Sequence, residues 1–244
     1  MNNIPTTKVS SAQKIQEHLA ALITKMKAGD KLPSEPQLAK QFGVSRATLR
    51  EAMRTFETQG LLLRRQGAGT YIMQPPAVIE SGLEVLESIE TQAKRIGLEV
   101  TMGDLKVEKR KANAQEVKEL DISEGDNVLH VSRAILTGGK AVAYLIDILP
   151  EGILGDEDLT AQFRGSVLDL LLKRGNPPLH SSRCEISSAQ ANSELAKIFG
   201  IQRGDSLLLF TAWLYSTSGK VVDYSFSYFL PGYFRFHVIR KVGQ

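Results

Sequence analysis

Apolar residues recur at helical spacing three times within the first sixty positions. Over 9–26, Ile15, Leu19, Leu22, Ile23 and Met26 share one side of a helix, which Ser10 or Ser11 can cap and Gly29 follows. Ser34, with Gln37 three residues on, opens a second helix in capping-box spacing. Pro36 is tolerated in that first turn, where amides lack intrahelical partners anyway. Leu38, Ala39 and Phe42 give this helix an inward face, and Gly43 supplies a left-handed stop. Ser45 caps a third helix running to Gln59, in which Leu49, Ala52, Met53 and Phe56 form the apolar stripe. Arg46, Arg50 and Arg54 form a row about 110° round the same axis, at ~100° per residue. After Gln59-Gly60 the period shortens: Leu61, Leu63, Tyr71 and Met73 flank Gln66-Gly67-Ala68-Gly69, a glycine-tipped hairpin with Arg64 and Arg65 beside the tip. Pro75-Pro76 stiffens and ends that hairpin. The pattern predicts a helix-turn-helix with a wing.

The remaining chain predicts a helix over Glu80–Gly97, with Leu83, Leu86, Ile89, Ala93 and Ile96 inward, and then a repeat. Residues 112–152 and 189–232 overlay with Glu116 on Glu194, Gly125-Asp126 on Gly204-Asp205, Gly139-Lys140 on Gly219-Lys220, and Leu149-Pro150 on Leu230-Pro231. Each half reads as helix, Gly-Asp turn, strand, Gly-Lys hairpin, strand and Leu-Pro stop. Two such halves predict one antiparallel sheet with helices packed alongside, an α+β domain. Between them, Gly165–Asn176 is a capped, strongly apolar helix, and a concavity where helix and sheet meet is a natural ligand site.

Charge changes the picture more than composition does. At 244 residues, 42% hydrophobic and 23% charged, the chain is ordinary for a soluble globular protein of one large or two modest domains. Its net charge of +3 conceals an asymmetry. Residues 1–76 hold 11 Lys and Arg against 5 Asp and Glu, and the rest hold 19 against 22. A basic excess confined to the helix-turn-helix points to a polyanion there. In such motifs the second helix enters the DNA major groove, its first residues meeting base edges, and Arg reads guanine through two acceptors. Ser45, Arg46, Thr48 and Arg50 are the candidate groove contacts, joined by Arg64, Arg65 and Gln66 from the wing. Arg54 is placed as a phosphate contact or a solvated charge.

Other functions find no support. No apolar run approaches the ~18 residues of a membrane span, and the N-terminus lacks the apolar core of a signal peptide. The single Cys184 rules out an intrachain disulfide or a multi-Cys zinc site and fits a reducing cytoplasm. His180 and His237 lack ligand spacing, so no metal or cofactor is expected. No nucleophile-and-base set, paired carboxylates or phosphate loop is legible. An enzyme, or an architectural DNA protein, is the competing class; the latter leaves an acidic domain of sensing size without a purpose.

The stretch LPSEPQLAKQFGVSRATLREAMRTFETQGLLLRRQGAGTYI resembles the winged-helix head of GntR-type bacterial transcription regulators over residues 8–74, through LPSE, GVSR, TLREAM and the G-x-G-T wing. That resemblance implies DNA contact from Arg46, Arg50 and the wing, and it extends the candidate set to Ser34, Gly67, Gly69 and Thr70. Pro36 stands where relatives often carry Arg or Glu, which removes a possible donor. Residues 80–240 are similar, more loosely, to the UTRA effector-binding domain of the HutC branch, a fold shared with chorismate lyase. Relatives that sense sugar phosphates carry two arginines in the first hairpin. Here Arg133 remains, Ile135 replaces the second, and Leu145 stands where an acid is expected. Asp223 is retained, and Leu230-Pro231-Gly232-Tyr233 replaces an Arg-Gly-Asp-Arg run.

The resemblance therefore implies an effector site drawn from Arg133, Ser166, Asp223, Tyr224 and Tyr228. One arginine can hold a carboxylate bidentately, whereas a dianionic phosphate usually attracts more donors, so the expected effector is less charged or more apolar than a sugar phosphate, for instance an organic acid. The domains expected are a DNA-binding head over 1–74, a linker and connecting helix over 75–97, and an effector-binding, dimerising domain over 98–244. The chain is expected to be a cytoplasmic homodimer that represses transcription from an inverted repeat in double-stranded DNA, without membrane association.

Overall fold

Leu19, Leu38, Leu49 and Met53 are almost wholly withdrawn from solvent, and they come from three different helices. The computed structural model describes residues 11–65, 67–73, 78–155, 157–159 and 163–240. Helix α1 spans Ser11–Lys25, α2 spans Glu35–Phe42 and α3 spans Arg46–Thr58. Gln37 Oε1 accepts the Ser34 backbone N–H at 2.9 Å and its hydroxyl at 2.7 Å, so the box at the start of α2 forms. Gly43, at φ +66°, ends α2 in the left-handed region, where a side chain would be strained. The wing pairs β1 (Leu62–Arg65) antiparallel with β2 (Gly69–Ile72). The chain before α2 borders β2: Leu32 N–H donates to Thr70 O and Gly29 N–H to Ile72 O, both at 2.8 Å. Leu32, Leu62 and Ile72 thereby join the helical core.

The chain divides into two units, Met1–Pro76 and Ala77–Gln244. In the second, β4 (Thr101–Lys111), β5 (Asn127–Thr137), β6 (Lys140–Pro150), β7 (Leu179–Gln190), β8 (Ser206–Ser216) and β9 (Val221–Phe229) form one antiparallel sheet. Their order is β4-β5-β6-β9-β8-β7. The repeat is visible in that order, because β4-β5-β6 and β7-β8-β9 meet through β6 and β9. Ala143 pairs with Phe229 and Ile148 with Tyr224; at the 81-residue offset of Leu149 and Leu230, Ala143 corresponds to Tyr224 and Ile148 to Phe229, so the ladder is symmetric about the repeat. Helices α5 (Ala114–Leu120) and α7 (Ser193–Phe199) occupy equivalent places. Each starts at an asparagine, Asn113 or Asn192, whose side chain accepts the amide three residues on. The overlay read from the sequence leaves out β4 and takes in only Ala189 and Gln190 of β7.

One face of the sheet packs beneath α5 and α7 through Leu120, Trp213 and Tyr224 and through Leu195, Phe199 and Leu230. The opposite face meets α6 (Val167–Arg174) through Val167, Leu171, Leu149 and Val131. Elsewhere on that side stands a short parallel pair, β3 (Ile79–Gly82) with β10 (Phe234–His237), whose Phe234 and Phe236 pack on Phe210 and Phe229.

The helix expected over Glu80–Gly97 is only half present. Ile79–Gly82 is a strand, and helix α4 covers Ile89–Arg95, beginning where Ser88 Oγ accepts the Thr91 amide at 3.0 Å. Pairing with β10 takes the backbone that the helical period would have used. Leu83 and Leu86, placed inward by that period, are 39% and 49% exposed. Pro75-Pro76 lies outside the described residues.

The cores of the two units share no residue. Leu49→Ala should therefore cost the head about 2–5 kcal/mol. The only tryptophan, Trp213, lies in the second unit. In urea, the helical circular-dichroism transition of the head should move while the Trp213 fluorescence transition stays in place. Movement of both together would contradict separate cores.

Candidate functional site

The basic surface of the head is built on α3. Ser45 Oγ accepts the Thr48 amide at 3.1 Å and shares a hydrogen bond of 2.8 Å with Thr48 Oγ1, which fixes the N-terminus of the helix. Arg46 and Arg50 project from it into solvent. Arg50 Nε donates to Glu35 Oε2 at 2.7 Å. Arg64 of the wing reaches the other oxygen of Glu35 at 3.3 Å and Glu57 at 3.0 Å. Glu35 thus ties the third helix to the wing through two candidate DNA contacts. Burial raises the Glu57 carboxyl above its ordinary range, against the lowering charge of Arg64. The Arg50 side chain is 62% exposed, so its ion pair contributes only about 0.2–1 kcal/mol and an incoming phosphate or base can displace it.

Around the wing, the Arg65 guanidinium lies 5.3 Å from the centre of the Tyr71 ring. Gly67 is exposed with φ +73°. Gly69 has φ +115°, and a Cβ there would stand 2.5 Å from Lys31 Cε. Thr70 does not belong to the exposed set: it is 7% exposed, and its carbonyl receives the Leu32 amide. Ser34 is exposed and engaged with Gln37; Arg54 lies 3.2 Å from Glu51 one turn back. Gln66 lies outside the described residues. Glu35 is the residue the sequence reading passed over, although LPSE contains it.

The second unit encloses a cavity of about 670 Å³ on the sheet face opposite α5 and α7. Arg133 on β5, Ser166 at the start of α6 and Asp223 on β9 all line it. Arg133 is 3% exposed; its Nε donates to Gly165 O and its Nη1 to Asp147 Oδ2, and its guanidinium lies 6.0 Å from the Phe163 ring. Asp147 came unpredicted. It stands two residues beyond Leu145, the place where an acid was missed, and Arg133 pairs with Leu145 across the hairpin. Same-face diagonal neighbours in a sheet are within reach of long side chains, so the register from the Gly138-Gly139 tip could have found it. Glu90 on α4 is a second unpredicted acid in the wall. A Cβ on Gly165 would meet Glu90 Oε1 at 2.8 Å, so that carboxylate sits against the same loop whose carbonyl holds Arg133.

Burial dominates the electrostatics here. It pulls the Arg133 guanidinium down to about 10, against the charges of Glu90 and Asp223, so the group stays cationic at neutral pH. It pushes Asp223 up to about 7, with Arg133 opposing, and raises Glu90 as well. Asp223 Oδ1, Glu90 Oε1 and Gln92 Oε1, all on residues of the cavity wall, have no hydrogen-bond partner. Ser166 caps α6 by accepting the Asp169 amide at 2.9 Å, and it borders the cavity as well.

Tyr224 and Tyr228 do not reach this cavity. Side chains alternate along β9, so Asp223, Ser225, Ser227 and Phe229 face it while Tyr224, Phe226 and Tyr228 face the helices. Tyr224 stacks on Trp213 and accepts Gln115 Nε2 at 3.1 Å, and Tyr228 joins the cluster under α7. Cys184 borders the cavity, as does His180, whereas His237 belongs to β10. Among the described residues no cluster of His, Cys, Asp and Glu is arranged to hold a metal, and no helix is long and apolar enough to cross a membrane.

Comparison with known proteins bears on both units. The model of bacterial regulatory proteins of the gntR family matches residues 11–72, and that of the UTRA domain matches residues 95–235. The chain is 27% identical over 196 residues to the HTH-type transcriptional repressor NagR of Bacillus subtilis, covering 80% of this chain and 79% of that protein. It is 27% identical over 192 residues to the Histidine utilization repressor of Klebsiella aerogenes, covering 78% and 77%. The crystal structure of PhnF from Mycobacterium smegmatis superposes with a TM-score of 0.63 at 22% identity, spanning 94% of this chain and 100% of that one, a likeness of fold.

The raised Asp223 sets a direction for stability against pH. Its folded value of about 7 exceeds the ordinary 3.8, so its favourable contribution is complete below about 4 and is lost as pH rises through about 7. Asp223→Asn should remove that loss. Urea midpoints of the native chain should fall relative to the variant between about pH 4 and 7, by an amount on the order of a few kcal/mol. Parallel pH profiles would show that Asp223 is not held without compensation.

Proposed function

Since the chain belongs to the gntR family of bacterial regulatory proteins and carries a UTRA domain, we propose that it works as a homodimeric repressor with two heads on an inverted-repeat operator and a small-molecule effector in the cavity of its second unit. As a member of that family it is a DNA-binding transcription regulator with an effector-binding domain, and its curated relatives are regulators rather than enzymes. Repression is suggested by the names of NagR and the Histidine utilization repressor. A head this small reads only a short half-site, so specificity calls for two heads related by the two-fold symmetry of the DNA. Such a protein acts in the cytoplasm, where its DNA is.

The observation that carries this reading is the composition of the cavity wall. Ser81, Ser88, Ile89, Glu90 and Gln92 belong to it, and they lie in the stretch of chain that follows the head. An effector in the cavity touches β3 and α4, so it favours whichever placement of that stretch binds it better. A ligand shifts an equilibrium only by its differential affinity for the two states. Effector binding thereby selects one placement of the two heads, and release from the operator follows when that placement no longer fits the half-site spacing.

On the DNA side, Arg46 and Arg50 are assigned to base reading and Arg54 to the phosphates or solvent. Fluorescence anisotropy on operator and unrelated duplexes checks this. Arg46→Ala and Arg50→Ala should each weaken operator binding by about 1–3 kcal/mol and weaken binding to unrelated DNA less. Equal losses on both duplexes would reassign them to phosphates, and unchanged operator affinity would remove them from the interface.

A further inference from the structure

The cavity has the wrong charge for an acid. Among the described residues Arg133 is the one guanidinium that lines it, and that group already donates to Asp147 and to Gly165 O. Among the described residues five acids line the same cavity, Glu84, Glu87, Glu90, Asp147 and Asp223. An organic acid, which a lone arginine suggests, would enter a region where acidic side chains already outnumber guanidinium by five to one.

The unpartnered atoms point the same way. Asp223 is 5% exposed and Gln92 is also buried; Asp223 Oδ1, Glu90 Oε1 and Gln92 Oε1 are acceptors with nothing donating to them. A buried acceptor left unsatisfied costs about 1–3 kcal/mol, more when charged. They lie on two elements, α4 and β9, so no single local rearrangement answers all three. Each lacks the same thing, a donor, and a group carrying several N–H donors and positive charge supplies it. The rest of the wall includes Ile89, Leu145, Phe210, Phe229 and Phe236, which suits an apolar or aromatic body. About 670 Å³ is room for a small organic ligand. The carboxylates are not gathered into a metal-holding cluster among the described residues, and so much apolar surface favours an organic cation over an inorganic one.

We propose that the effector is an organic cation, an ammonium or amidinium on an apolar body, whose charged end is received by Asp223 and Glu90. This rests on the reading of the cavity as the effector site. The Arg133–Asp147 pair then serves to hold β5, β6 and the loop at Gly165 in place, leaving Asp223 and Glu90 to the ligand. The upward shift of both carboxyls agrees, since at each of them burial outweighs the charge of Arg133.

The test uses the full-length chain and three probes of similar shape: benzylamine, benzyl alcohol and benzoate. Thermal shift and titration calorimetry should show stabilisation by benzylamine and none by the other two. Asp223→Asn should lower the benzylamine affinity about tenfold or more. The same variant without ligand should melt at or above the native temperature; Glu90→Gln gives an independent reading of the affinity loss should Asn at 223 disturb folding. Binding of benzoate in preference, lost in Arg133→Gln, would overturn the cationic class and leave the cavity as the effector site. Equal binding of amine and alcohol, indifferent to Asp223→Asn, would overturn it too. If none of the three binds, the class is refuted. If sugar phosphates and amino acids then also fail to bind or to change operator affinity, the effector-site reading falls with it.

Discussion

The antiparallel ladder between β6 and β9 joins the two halves of the repeat, and its pleat decides which face each side chain serves. Ala143 opposite Phe229 and Ile148 opposite Tyr224 centre the pairing on the symmetry of the repeat, so the same alternation runs through both halves. Leu145 and Asp147 on β6 therefore point to the same side as Asp223, Ser225 and Ser227 on β9. Tyr144, Ile146, Tyr224 and Phe226 point to the other, under α5 and α7. A one-residue slip would exchange the two sets. It would send carboxylates into the helix-packed core and aromatic rings into the cavity.

That constraint explains why charge is concentrated on one face. Two helices cover one side with closely packed apolar residues, whereas α6, α4 and the β3–β10 pair cover the other and leave a cavity between them. Buried charge persists there only with partners, because an isolated ion in an apolar interior neutralises instead. Arg133 has partners in Asp147 and Gly165, whereas Asp223 Oδ1 and Glu90 Oε1 have none. The head makes the opposite use of charge. Arg50 and Arg64 pair with Glu35 close to water, where a pair contributes little and yields readily to a stronger anion.

Much of this was legible in the sequence. The helical period of Ile15, Leu19, Leu38, Leu49, Met53 and Phe56, with Ser34, Gly43 and Ser45 as punctuation, is local information, and α1 to α3 follow it. The repeat was legible because Gly-Asp, Gly-Lys and Leu-Pro recur in order. What stayed hidden depends on partners far along the chain. Ile79–Gly82 becomes a strand through Phe234–His237, some 155 residues away, and no local period reveals that. Tyr224 and Tyr228 were grouped with Asp223 by proximity in sequence, whereas neighbours on a strand face opposite ways. Asp147 and Glu90 needed register and tertiary placement before their meeting with Arg133 could be seen. Glu35 lies within the LPSE motif, but its two arginine partners come from separate elements.

Cavity and head are linked, on this account, by what occupies the cavity and by the sign of its charge. Cys184, the only cysteine, is exposed and borders the cavity, so it permits occupancy to be imposed without knowledge of the natural effector. The decisive measurement is operator affinity of the full-length protein before and after complete labelling of Cys184 with thiol reagents of matched length, one ending in an ammonium and the other in a sulfonate. The ammonium adduct should change operator affinity severalfold, and Asp223→Asn should abolish the change, while the sulfonate adduct stays near the unlabelled protein. Unaltered operator affinity with both adducts would contradict the account.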